Sequence, residues 1–218
     1  MKKFELTAEY VTNIFGKKLF RIKALVEFGN VKEGDLGGFV EKESNIDDDG
    51  NAWVSGNAQV FGNAKISGNA QVFGNAQVFG NAKISGNAQV FENAWVYGNA
   101  WISENAQVYG NAWISGNAQV YGNAWISGNA QVYGNACVAG NLDYAIVKGF
   151  GSEQQTITFF RQKDGSVGAK CGFFCGTLEE FREKVLETHR DSKYGQEYLM
   201  IADLMELHFA GGKEDDER

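Results

Sequence analysis

The residues best equipped for chemistry are few and gather towards the end of the chain. Cys171 and Cys175 stand with three residues between them, and His189 lies further along. Two thiolates and an imidazole are zinc ligands, but a structural zinc takes four, and no second Cys or His pair follows at zinc-finger spacing. The spacing therefore reads as two buried structural thiols and no metal. Thr188-His189-Arg190-Asp191 falls where a helix should end, a place where an imidazolium suits the helix dipole. The competing reading for this stretch is a ligand or partner contact made by His189, Asp191, Lys193 and Tyr194. His208 is the only other histidine. Walker loops and nucleophile elbows are missing, because the many Gly-Asn pairs precede strand-like segments rather than helices. No catalytic residue and no cofactor is expected.

The element that must position any site is a repeat. From Asn45 to Asn141, Asn recurs every six residues, at 17 positions. Ala follows at 15 of them, and Val or Ile comes two residues after each Ala. From position 50 to 140 Gly precedes Asn at all but two places, Glu92 and Glu104. In an extended segment residues two apart share a face, so Ala and Val/Ile point inward and the residues between point outward. Gly-Asn tolerates positive φ and turns the chain once per hexad. The unit Gly-Asn-Ala-x-Val/Ile-x resembles the hexapeptide repeat of left-handed parallel β-helices, in which three hexads close one triangular coil. That resemblance implies about five coils over residues 51–141. Stacked Asn would then form amide ladders along the corners.

The outward positions are aromatic to an unusual degree. Trp53, Phe73, Phe91, Tyr109 and Trp125 fall on one face, and Phe61, Phe79, Trp95, Tyr97, Trp113 and Tyr133 on the next. The third face carries Lys65, Lys83, Trp101 and Tyr121. Charges between residues 51 and 140 are confined to Lys65, Lys83, Glu92 and Glu104. Large apolar patches mark interaction surfaces, and Trp and Tyr are favoured anchors. The aromatics of the first two faces other than Trp125 are expected at an interface, covered by another subunit, a terminal segment or a partner. Simple stacking along the strands is the plainer alternative.

The flanks depart from the hexad. Residues 1–50 read as an N-terminal β cap, with strand alternation in LFRIKALVEF. Residues 142–218 read as a small α+β module: QTITFFRQ and SVGAKCGFF as a β-hairpin, then two helices. A capping box at Thr177–Glu180 opens the first helix, and the second spans 196–209.

Composition bounds the partners. Among 218 residues, 27 are acidic and 20 basic, for a net charge of −7, a field that repels nucleic acid and anionic membrane. Glycine numbers 28 and proline zero, which excludes collagen-like and proline-rich designs. Three scattered Cys make no disulfide framework, and no stretch reaches membrane-span length. A cytoplasmic protein is expected.

Three stretches carry a second resemblance. LFRIKALVEFGNVKEGDLGGFVEKESNI, the GNAxV hexads, and CGTLEEF…THRDSKYGQEYL are similar to hexapeptide-repeat proteins of phages and prophages, often loosely labelled polymer-forming. The resemblance implies a phage or prophage origin, an accessory role in the host cytoplasm and no known activity. Hexapeptide-repeat proteins include acyltransferases with a catalytic His beside a coil, but this repeat contains no His. The expectation is a non-enzymatic accessory protein. It would self-associate through its β-helix as a dimer or trimer, and bind a host protein target through its C-terminal module. Inhibition of antiviral defence, by CRISPR or nucleotide-signalled immunity, is the role envisaged. A virion assembly protein is the alternative, and an acyltransferase-like enzyme the third reading.

Overall fold

A computed structural model describes residues 2–210; the charged end GGKEDDER, expected to fray, lies outside the described residues. β1 (Phe4–Thr12) and β2 (Lys18–Ala24) form an antiparallel hairpin, and β3 (Leu36–Val40) pairs with β2. Fifteen two-residue strands follow, β4 (Trp53–Val54) to β18 (Cys137–Val138), one per hexad. Each pairs in parallel with the strand three places on, so Gln89 sits beside Gln107 and Trp95 beside Trp113. The result is a parallel β-solenoid with three flat faces. The first face holds β5, β8, β11, β14 and β17, the second β4, β7, β10, β13 and β16, and the third β6, β9, β12, β15 and β18.

The coil begins earlier than the hexads suggest. β3 pairs in parallel with β5, and Ile46 bridges Ile66, so there are about six turns rather than five. The backbone ladder runs on through Leu36–Val40 without the Asn-Ala signature, because hydrogen bonding needs only the right rise. Gly38 stands where an inward side chain would fall, and a Cβ there would meet Ala58 O and Val54 Cγ1 at 2.7 and 2.8 Å.

The interior explains the strictness of the repeat. Every inward Ala and Val/Ile of the hexads is buried. Each complete turn holds one Ile and two Val, with Ile66, Ile84 and Ile102 on the third face, Ile114 on the first and Ile126 on the second. The isoleucine changes face while the filled volume per turn stays constant, as a close-packed core demands. At the corners it is Gly, not Asn, that takes positive φ: Gly68 at 64° is typical, and a Cβ there would lie 3.2 Å from Gly86 N. Asn is left to form three ladders, each Nδ2 donating to the Oδ1 eighteen residues on, as from Asn69 to Asn87 at 3.0 Å.

The C-terminal module holds a four-stranded antiparallel sheet rather than one hairpin: β19 (Tyr144–Val147), β20 (Ile157–Arg161), β21 (Val167–Cys171) and β22 (Phe174–Thr177). The stretch expected as a single strand over 166–174 breaks at Gly172-Phe173, a two-residue turn with Gly172 at φ 54°. Helix α1 (Leu178–His189) opens with the expected capping box, and α2 (Lys193–Ala210) starts three residues early. Ile157, Phe159 and Ala169 of the sheet pack against Phe181, Val185, Tyr198, Ile201 and Met205 of the helices.

Candidate functional site

The aromatic columns are first of all stacks within the chain. Phe61, Phe79 and Tyr97 lie face to face at 4.9 and 5.0 Å, and Phe73, Phe91 and Tyr109 at 4.8 and 4.9 Å. Trp95 stacks on Trp113 at 5.3 Å. The coil repeat, close to ring thickness plus a small gap, dictates these spacings.

Terminal segments cover part of the columns. Trp53 is 5% exposed beneath Phe4 and Phe28, and Phe61 is 4% exposed beneath Phe15 of the β1–β2 turn, which also touches Phe79. At the other end Tyr133 bonds the Tyr97 hydroxyl at 2.8 Å across the buried Ser115, with Lys170 Nζ over its ring. Burial, reinforced by Tyr97, holds the Tyr133 hydroxyl well above its ordinary pKa. A hydrogen bond to Cys137 pushes Tyr121 up to about 12.

Open indole surface remains at Trp101, Trp113 and Trp125, 47%, 39% and 50% exposed, one on each face. Each is followed two residues later by Ser, so no large side chain stands beside the ring on its own strand, whereas Trp95 is followed by Tyr97. Trp113, Trp95 and Tyr97 form the contiguous aromatic stretch of the first face, between the N-terminal hairpin and the C-terminal module.

Both ends of the coil are closed by side chains. At the last turn Trp125 N–H donates to Asn141 Oδ1 at 2.8 Å, and Tyr144 Oη donates to Trp125 O at 2.6 Å. Gln131 N–H donates to Thr158 Oγ1 at 2.9 Å, and Phe160 plugs the core. At the first turn Phe4, Ile22, Ala24 and Val31 join the coil interior, and Lys3 reaches Gly50 O at 3.3 Å. Asn45 and Asn141, in register with the ladder Asn, serve instead as end pieces.

The C-terminal module contains a pocket of about 240 Å³. It is lined by Cys171 and Phe174 of the sheet, by Phe181, Lys184, Val185, Thr188 and His189 of α1, by Tyr198 of α2, and by Ser152, Glu153 and Gln155 of the β19–β20 loop. The His189 ring lies 5.3 Å from that of Tyr198. Asp191, Lys193 and Tyr194 are exposed beyond it and do not line the pocket, so the four residues expected to act together are separated. Cross-strand pairing puts Cys171 beside Phe174 and Cys175 beside Lys170, on opposite faces of the hairpin, which keeps the two thiols from one ligand. Cys171 is half-buried, whereas Cys175 is exposed, unlike the buried pair expected. Burial pushes both thiols above their ordinary pKa, the reverse of an activated nucleophile. Among the described residues no three His, Cys, Asp or Glu side chains cluster as metal ligands. No described helix is long and apolar enough to cross a membrane.

The sequence reading missed the pocket because its walls come from four separate segments. The one local signal was Cys-Gly-Phe-Phe-Cys, a turn glycine inside an apolar run. Residues 106–122 match the family model of the YdcK beta solenoid repeat, and no curated protein matches the chain. The matched residues span almost one turn, so the likeness is to the repeat, which the chain carries as a solenoid closed at both ends.

Proposed function

We propose that the protein is a non-enzymatic binding protein that self-associates along the sides of its solenoid and presents its C-terminal module to a host target. The observation that carries this reading is open aromatic surface on the sides of a nearly uncharged coil whose ends are sealed. Trp95, Tyr97 and Trp113 are the contact stretch. A fully exposed Trp or Tyr can bury on the order of 150–250 Å². These rings are already stacked within the chain and Trp113 keeps 39% exposure, so each has less than half of that left to give, roughly 1–3 kcal/mol gross before association costs. A few such anchors support a symmetric dimer or trimer. The resemblance to phage and prophage proteins makes bacterial antiviral machinery the first class of target to test. In sedimentation at micromolar concentration the wild type should run larger than a monomer, and Trp95→Gln/Tyr97→Gln/Trp113→Gln should run smaller while still melting cooperatively. A monomeric wild type overturns self-association.

A further inference from the structure

Helix α2 is apolar on the side turned away from the core as well as on the side turned into it. Tyr198, Ile201, Ala202, Met205 and Phe209 are buried in the core of the module. By helical periodicity Met200, Leu204 and Leu207 fall on the opposite side of the helix. They are 71%, 56% and 73% exposed. The solvent side of a helix is ordinarily polar, so this apolar row departs from the local rule with no contact to offset it. The residues that follow α2, GGKEDDER, carry no apolar side chain that could cover it.

The row borders a groove whose other wall is acidic. Three residues join α1 to α2, so the helices pack side by side in opposite directions and leave a groove along their outer side. Arg182 of α1 spans it, its guanidinium bonded to Asp203 and, at 2.7 Å, to Glu206. Leu186, one turn further along the same side of α1, is exposed and adds to the apolar lining. Outward on α1 stand Glu179, Glu183 and Glu187, each one turn from the next, a spacing at which like charges repel. Lys184 pairs with Glu187 at 2.7 Å, whereas Glu179 and Glu183 make no ion pair among the described residues.

We propose that this groove docks a basic amphipathic helix of the target protein. Its apolar side would lie on Leu186, Met200 and Leu207, with Leu204 at the outer rim. Its Lys or Arg residues would reach Glu179, Glu183 and Glu187. Laying such a helix on an apolar groove is a recurrent mode of recognition. Charge decides against the other occupants. A second copy would offer α2 itself, whose Glu197, Asp203 and Glu206 outnumber Lys193, so acid would meet acid. An anionic membrane is repelled in the same way. The proposal rests on the reading that the C-terminal module engages a host protein, and it does not depend on self-association.

The probes are the peptide LKKLLKLLKKLLKL and its acidic counterpart LEELLELLEELLEL, titrated into the full chain and followed by NMR shifts and circular dichroism. The basic peptide should bind saturably, become helical and shift residues of α1 and α2. The acidic one should bind about tenfold more weakly or worse. Met200→Ser/Leu207→Ser, at exposed positions, should leave the melt unchanged and weaken the basic peptide about tenfold or more. Glu179→Gln/Glu183→Gln should weaken it severalfold and flatten its salt dependence. Equal binding of the two peptides, or binding indifferent to Met200→Ser/Leu207→Ser, overturns the docking groove. A wild-type dimer that this same variant renders monomeric assigns the face to a second copy and overturns it too. So does binding to phosphatidylglycerol vesicles that exceeds peptide binding and is lost in the variant, which assigns the face to a membrane.

Photocrosslinking in bacterial lysate separates this groove from the reading on which it rests. The crosslinker is placed by Met200→p-benzoylphenylalanine or, at the exposed turn between β21 and β22, by Phe173→p-benzoylphenylalanine. Protein crosslinks from position 200 that the basic peptide competes away support the groove. Crosslinks from position 173 alone overturn the groove and keep the host target. Crosslinks from neither position remove the host target and the proposal with it.

Discussion

Glu92 and Glu104 show how one side chain can offset a local penalty. Both occupy the corner place that Gly fills elsewhere, and both adopt φ 57°. A non-glycine residue there is strained by roughly 1 kcal/mol or more. In return each carboxylate accepts a hydrogen bond from the next turn's corner, Glu92 Oε2 from Gly110 N–H at 2.9 Å and Glu104 Oε2 from Gly122 N–H at 3.0 Å. Such a bond contributes about 0.5–1.5 kcal/mol. The two effects nearly cancel in Glu92→Gly, which should stay within about 1 kcal/mol of wild type in urea denaturation. Glu92→Ala keeps the strain and loses only the bond, so it should cost about 0.5–1.5 kcal/mol. Equal stability of the Ala variant and wild type would mean that the carboxylate contributes nothing.

At the level of elements, identical letters in the repeat perform different tasks. Asn87 belongs to an exposed ladder, accepting from Asn69 and donating to Asn105 at 3.0 and 3.1 Å. Water can replace both bonds, so Asn87→Ala should cost less than about 1 kcal/mol. Asn45 is fully buried at the first turn; it accepts from Lys42 N–H at 3.0 Å and donates to the carbonyls of Gly62 and Ala64 at 3.3 and 2.8 Å. Removing it leaves buried backbone groups unpaired, at about 1–3 kcal/mol each. Asn45→Ala should therefore lower the denaturation midpoint well beyond Asn87→Ala. Equal midpoints would refute the end-piece role.

For the whole molecule the sealed ends decide what kind of assembly is open to it. A solenoid with a bare last turn offers an edge that another chain can extend, and such contacts run on into fibres. Here Asn141 and Tyr144 occupy the N–H and C=O of Trp125, and the C-terminal sheet covers the rest of the turn. Arg161 fastens that sheet through Asp143 at 3.0 Å and the Phe209 carbonyl at 3.3 Å. The self-association proposed above would therefore have to use the sides. Asn141→Ala/Tyr144→Phe should retain the coil's circular dichroism but form elongated aggregates on storage, visible by light scattering and electron microscopy. A double variant that stays as compact as wild type would place the seal in the C-terminal sheet alone.

The hexads by themselves determined the coil: the period, the inward Ala and Val/Ile, the corner and the Asn ladder all follow from local spacing, since each turn meets only its neighbours. The capping box of α1 was legible for the same reason, a bond between residues three apart. Tertiary structure decided what depends on distant segments. It set the extra turn begun by β3, where backbone pairing continues without the repeat's letters, and it brought β19 and β22 beside the expected hairpin. It also sorted the aromatics, hiding Trp53 and Phe61 under residues of the first 28 and leaving Trp101, Trp113 and Trp125 open. Their exposure depends on which terminal segment folds back over which face. The pocket around Tyr198 was beyond local reading as well, because a loop, a hairpin and two helices with no shared period meet there only when the module packs.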